Sequence, residues 1–160
     1  MIRSRHSSTS SREQRGLAMV EVALTAPVLL LLLFATAEFS RMMIHYSAIN
    51  DSVRDAARYV AGKALAGTNG QLVQGVAWTN LVTEGKNLAV YGNVAGAGAP
   101  ALPALTVGQI AVTADTVNNN ITVTSTYPYQ AIFAGSMPTF VAGAISTNFT
   151  LSVSTTMRAL

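Results

Sequence analysis

Residues 14–34 read "QRGLAMVEVALTAPVLLLLLF", and the reading of this stretch decides the fold. Val22 to Ala37 contains no charged residue. As a helix, Val22 to Ala37 covers about 24 Å, and the longer run from Leu17 to Phe39 covers about 35 Å. A bilayer's hydrocarbon core is about 30 Å thick, so the longer run crosses it. Val28 to Phe34 offers no polar face at all. The segment reads as a transmembrane helix with one anomaly, Glu21, placed one turn inside Leu17.

Composition agrees. Half of the 160 residues are hydrophobic and only 11% are charged, which is lean for a soluble protein. There is no cysteine, so disulfides, thiolate metal sites and cysteine nucleophiles are excluded. The whole net charge of +3 lies in residues 1–16, where Arg3, Arg5, Arg12 and Arg15 face Glu13 alone; the rest of the chain balances. Basic residues directly before an apolar helix hold that end in the cytoplasm and send the following chain across the membrane. No basic or aromatic surface follows the leader to suggest a nucleic-acid partner.

Glu21 has two readings. It either snorkels to the headgroups near the cytoplasmic edge, or it pairs with a cation. The cation would come from Gly16. A peptidase cutting after this glycine gives Leu17 a free, positively charged amine. In an assembly, Glu21 of one subunit could pair with the amine of the next, in a setting where a lone charge is costly.

Gly16, four apolar residues and a glutamate behind a basic leader resemble a type IV prepilin processing site. The wider stretch "RGLAMVEVALTAPVLLLLLFATAEFSR" is similar to the TadE-like pseudopilins of the tight-adherence (Flp) pilus system. The matching features are Arg15-Gly16, Val20-Glu21, Pro27 within the run and Glu38-Phe39 at its far end. The closing "LSVSTTMR" (Leu151–Arg158) also looks like the family's ending. The likeness is close over residues 15–60, weak in the middle and moderate at the end. It implies processing between Gly16 and Leu17 by a prepilin peptidase. It also implies partners among other pilins or pseudopilins and the membrane assembly platform, a place in the cytoplasmic membrane or at the base of a pilus, and no cofactor.

Pro27 lacks an N–H and crowds the carbonyl of Ala23, so a helix kink is expected near Ala23–Thr25, with Thr25 or a neighbour satisfying the freed carbonyl. Two other fates compete with prepilin processing. Ala35-Thr36-Ala37 fits the small-x-small pattern of signal-peptidase cleavage, which would release a secreted product beginning at Glu38. An uncleaved, single-pass anchored binding module is the other.

From Glu38 the chain becomes amphipathic. Met42, Tyr46, Ile49, Val53, Ala56, Val60 and Ala64 recur at helical steps, with Asp51–Arg54 and Asp55–Arg58 as favourable i,i+3 pairs on other faces. Gln71 to Tyr91 is a second helix candidate, weakened by Gly75 and Gly85 so that it could break in two. Val94 to Pro103 reads as a flexible linker.

The period then changes to two. Ile110–Ala114 and Ile121–Tyr127 alternate around the turn signal Asn118-Asn119-Asn120, Pro128 ends the pairing or marks an edge, and Phe149 to Met157 alternates again. Ala131 to Thr147 reads as a long loop. The fold expected is α+β and pilin-like: a long N-terminal helix packed on a small antiparallel sheet. Its segments are a leader (1–16), a transmembrane helix (17–40), its amphipathic continuation (41–66) and an exported α+β domain (67–160).

Catalytic machinery is not visible. His6 and His45 are the only histidines, and His45 reads as a lone surface residue. No metal-ligand spacing or hydrolase motif occurs. The reading is a structural or assembly protein and not an enzyme.

Overall fold

A computed structural model describes residues 10–66, 70–132, 136–138, 144–146 and 149–160. The fold class is α+β, with one long apolar helix and a small antiparallel sheet. Helix α1 spans Ser10–Lys63. The chain divides into two compact units, one ending at Ser40 and one running from Arg41 to Leu160.

The first unit is, in its described part, helix alone. Leu17, Met19, Val22, Leu24, Leu29, Leu32 and Leu33 are all more than half exposed. The most apolar window reaches a mean hydropathy of 2.4 with none of it buried. The hydroxyls in this stretch turn back onto helix carbonyls, Thr36 Oγ1 to Leu33 O at 2.8 Å and Ser40 Oγ to Thr36 O at 2.8 Å.

In the second unit α1 supplies one wall of the core. Ile49, Val53, Ala56, Val60 and Ala64 are buried, as their spacing predicts, joined by Ala57 and Ala61. Tyr46 is not among them. At 42% exposed it faces outward, and His45 takes the inward position instead. Of the two expected ion pairs, Arg58–Asp55 forms at 3.7 Å, and no such pair joins Asp51 to Arg54 among the described residues.

Two short strands, β1 (Leu65–Ala66) and β2 (Gln71–Leu72), follow and pair antiparallel. Gln71 and Leu72 are therefore strand, not helix. Helix α2 runs unbroken from Val76 to Tyr91. Gly75 begins it instead of weakening it, and Gly92 ends it with a left-handed φ of 69° and an N–H to Leu88 O at 2.9 Å. Gly85 lies inside this helix, where a Cβ would collide with Val60 Cγ2; its missing side chain lets α2 approach α1 closely.

The expected linker is a hydrogen-bonded crossover. Asn93 brackets Ala97 with both side-chain atoms, Ala101 N–H reaches Val90 O at 2.7 Å, and Leu102 and Leu105 are buried.

The sheet has the order β3 (Ile110–Asp115), β4 (Asn120–Tyr129), β7 (Phe149–Arg158), antiparallel throughout. Ile121, Val123, Ser125, Tyr127 and Tyr129 point inward from β4, and Val153 from β7 meets Ser125 in register. All but Ser125 share one buried apolar cluster with Ile49, Val53 and Val60. Each large aliphatic side chain of this cluster contributes about 1.5–3 kcal/mol on burial. The outer face is a hydroxyl ladder, with Thr122–Thr156 and Thr124–Ser154 both at 2.9 Å.

Strand β4 continues through Pro128, which pairs with Thr150 of β7, while β3 reaches only to Ser125. Pro128 thus lies where β4 has a neighbour on one side only. Within the expected loop 131–147, β5 (Ser136–Pro138) and β6 (Ala144–Ser146) pair as an antiparallel two-stranded unit.

Candidate functional site

The sequence-derived site residues gather on the first turns of α1. Arg15, Gly16, Leu17 and Glu21 are all exposed and helical, Leu17 at 72%. Arg12 lies within α1, and Arg3 and Arg5 lie outside the described residues. A Cβ at Gly16 would meet nothing within 4 Å. Glycine inside a helix costs about 1 kcal/mol relative to alanine, and nothing in the chain's own packing here asks for it. Thr25 Oγ1 donates to Glu21 O at 2.9 Å. The threonine therefore caps the backbone of the glutamate, not the Ala23 carbonyl that Pro27 leaves without its N–H. The helix assignment is continuous through Pro27.

A second group of residues, in the other unit, was not visible as a site in the sequence. His45 is buried, and its Nδ1 lies 3.2 Å from Tyr127 Oη. Tyr127 donates its own proton to Pro103 O at 2.9 Å, so Nδ1 of His45 must be the donor to the phenol. The imidazole also meets the Tyr129 ring edge-on at 5.4 Å. Arg41 donates to Gln130 O at 3.1 Å and stands 5.8 Å over the Tyr129 ring, which Phe149 stacks upon. Burial pushes the Tyr127 phenol above its ordinary value, with the Arg41 charge opposing. The signal for this cluster was the tyrosine pair at the end of β4, but its partner on α1 lies 82 residues away.

At the C-terminal end of α1, Lys63 donates to Tyr59 Oη and Tyr59 to Glu84 Oε2, both at 2.6 Å. This chain fastens α2 to α1. The Tyr59 hydrogen bond, helped by the Tyr59 and Glu84 charges, holds the Lys63 amine above its ordinary value against some desolvation. Among the described residues no three His, Asp or Glu side chains converge to hold a metal.

Residues 16–58 match the TadE-like protein family. The match opens on Gly16 and takes in Glu21, Pro27, the bare apolar run and the buried stripe as far as Arg58. It leaves the sheet outside. No curated protein and no solved structure matches the chain. The likeness is confined to residues 16–58 of the 160. One long, exposed, apolar N-terminal helix fits a single-pass membrane anchor.

Proposed function

We propose that this chain is a membrane-anchored minor pseudopilin in the assembly of a tight-adherence (Flp) pilus, cut by a prepilin peptidase between Gly16 and Leu17. The observation that carries the reading is the conjunction at the start of the TadE-like segment. A glycine that the fold does not need stands five residues before a glutamate, at the head of an apolar helix with no cover of its own. A peptidase that must approach the backbone closely supplies the reason for the glycine. The arginines of the leader orient the anchor, with the N-terminus in the cytoplasm and residues 41–160 outside it. A reporter fused after Leu160 that works only in the cytoplasm contradicts this orientation.

Processing gives the role of Glu21. The new amine at Leu17 lies one turn away along the helix, and in a bundle of such helices the carboxylate of one subunit neutralises the amine of another. The helix is unbroken through Ala37 into the buried stripe, which supports anchoring over a secreted product starting at Glu38.

The test is co-purification with the pilus machinery at equal membrane abundance. Wild type is recovered with the machinery, and Glu21→Gln inserts and is cleaved normally yet is recovered several-fold less. Equal recovery of the two removes the pairing role, and failure of wild type to co-purify removes the role in assembly.

A further inference from the structure

We propose that copies of this chain join head to tail through their sheets. The open edge of β7 in one copy enters the groove at the open edge of β3 in the next, as a parallel pair with Arg158 opposite Asp115. The contact is built from the Arg41–Leu160 unit alone. It goes beyond the reading of the apolar helix and of Gly16, and it would survive the failure of either.

The first argument is what the two edges offer. β3 and β7 flank β4, and no described strand pairs with either on its other side. Ala159 N–H donates to Asn119 O at 2.7 Å, one step past the pair Asn120–Arg158. Antiparallel pairs alternate between bonded and open, so β4 and β7 exchange their hydrogen bonds at Ile121–Met157, Val123–Thr155 and Ser125–Val153. Ser152, Ser154 and Thr156 therefore turn their backbone N–H and C=O to the open edge. By the same alternation Val112 and Ala114 do so on β3. In a parallel ladder the bonding residues of one strand fall opposite the non-bonding residues of the other, and these two sets interlock that way with the inward side chains kept on one face. β7 also lacks the devices that blunt an edge: its ten residues include no proline or glycine, and no charge before Arg158.

The second argument is complementarity. Beside β3 lies an uncharged groove of about 400 Å³, lined by Leu72, Val73 and Trp78 together with Val112 and Ala114 of the strand itself. β7 has the matching deficit. The inward residues of β4 are buried, whereas Leu151, Thr155 and Met157 on β7 are only half-buried. Seated against β3 of the next copy, this row gains the groove as its cover. Charge then sets the register. Asp115, Asn120 and Arg158 form one row across the sheet, with opposite charges at its two edges. Two strand spacings, about 10 Å, hold them apart within a copy, and among the described residues neither joins an ion pair. Lateral repetition brings Arg158 within one spacing, about 5 Å, of Asp115 in the next copy. A symmetric β7–β7 pair would leave the groove empty and give Arg158 no acid. A head-to-tail contact also repeats, so copies add in a row instead of stopping at two.

The chain has no cysteine, so thiols can be placed singly. Thr113 and Thr156 are exposed and lie in the outward row next to the charged one, so they face each other across the contact. Within one copy β4 holds them about 10 Å apart, beyond the roughly 7 Å between Cα atoms that a disulfide can bridge. Full-length Thr113→Cys and Thr156→Cys are purified in detergent, mixed or kept apart, and oxidised with copper phenanthroline. The mixture should give a covalent dimer, and each variant alone several-fold less. The chain carrying both substitutions should give a ladder of higher oligomers. Adding Arg158→Glu to the Thr156→Cys chain should cut the mixed dimer several-fold, because like charges then face each other. No dimer from the mixture overturns the proposal. Equal cross-linking of Thr156→Cys alone reveals a symmetric pair and overturns it as well. A yield untouched by Arg158→Glu overturns the register.

Discussion

Gly85→Ala should destabilise this protein even though alanine is the better helix former. In an open helix the exchange gains about 1 kcal/mol. Here the new Cβ would lie well inside contact distance of Val60 Cγ2. Val60 is fully buried in α1 and β-branched, so in a helix its χ1 has one strongly preferred setting and it cannot swing aside cheaply. Overpacking of this kind costs about 1–3 kcal/mol, which outweighs the propensity gain and leaves a net loss near 1 kcal/mol. For a chain of this size that lowers Tm by about 2–4 °C. The decisive variant is Val60→Ala. It costs about 2 kcal/mol alone as a large-to-small change, but it removes the methyl that collides. In that background Gly85→Ala should become stabilising by about 1 kcal/mol, a change of sign that a double-mutant cycle reads directly. Thermal and urea unfolding of the full chain in detergent, followed by circular dichroism, gives all four values. Stabilisation by Gly85→Ala with Val60 intact would refute the close approach of α2 to α1.

Ser125→Ala should raise stability by about 1 kcal/mol, because Ser125 Oγ is fully buried with no hydrogen-bond partner among the described residues; a lower Tm in the same unfolding assay would mean the hydroxyl is satisfied. Tyr127→Phe should cost on the order of 1–3 kcal/mol at neutral pH, since it leaves Pro103 O and the His45 Nδ1–H without their partner. Its folded-state pKa is raised above the ordinary 10.0, so the tyrosine's protonation-linked contribution is complete below that value and lost as pH climbs through the higher one. The Tm gap between wild type and Tyr127→Phe should therefore narrow above about pH 10; a gap that is constant or widens in an alkaline melting series contradicts the assignment.

The sequence exposed those parts of the fold that a period carries. The inward positions of β4 and β7 follow the alternation at Ile121, Val123, Tyr127 and Val153, because a strand one face of which is buried cannot slip without turning its apolar set outward. The bare apolar helix was legible from length and charge alone. What was not legible depends on partners distant in sequence. His45 displaces Tyr46 from the core only because the Tyr127 hydroxyl waits there to pair with it, and an apolar-stripe reading passes over a histidine. Gly85 reads as a helix breaker until Val60 is known to face it. The pairs β1–β2 and β5–β6 are too short to show any period, and the crossover 94–103 is ordered by Asn93 and buried Leu102, with Gly96 and Gly98 at positive φ within it. Gly16 and Glu21 are proposed from spacing and resemblance, whereas the Arg41 hydrogen bond to Gln130 O required the fold.

The mature N-terminus, read by mass spectrometry of the protein purified from membranes, bears most directly on the central claim. A chain beginning at Leu17 is the predicted result, accompanied by an intact leader in Gly16→Leu, where a bulky side chain blocks the peptidase. A chain beginning at Glu38 would make this a secreted protein, and one beginning at Met1 an uncleaved anchor; either contradicts the account.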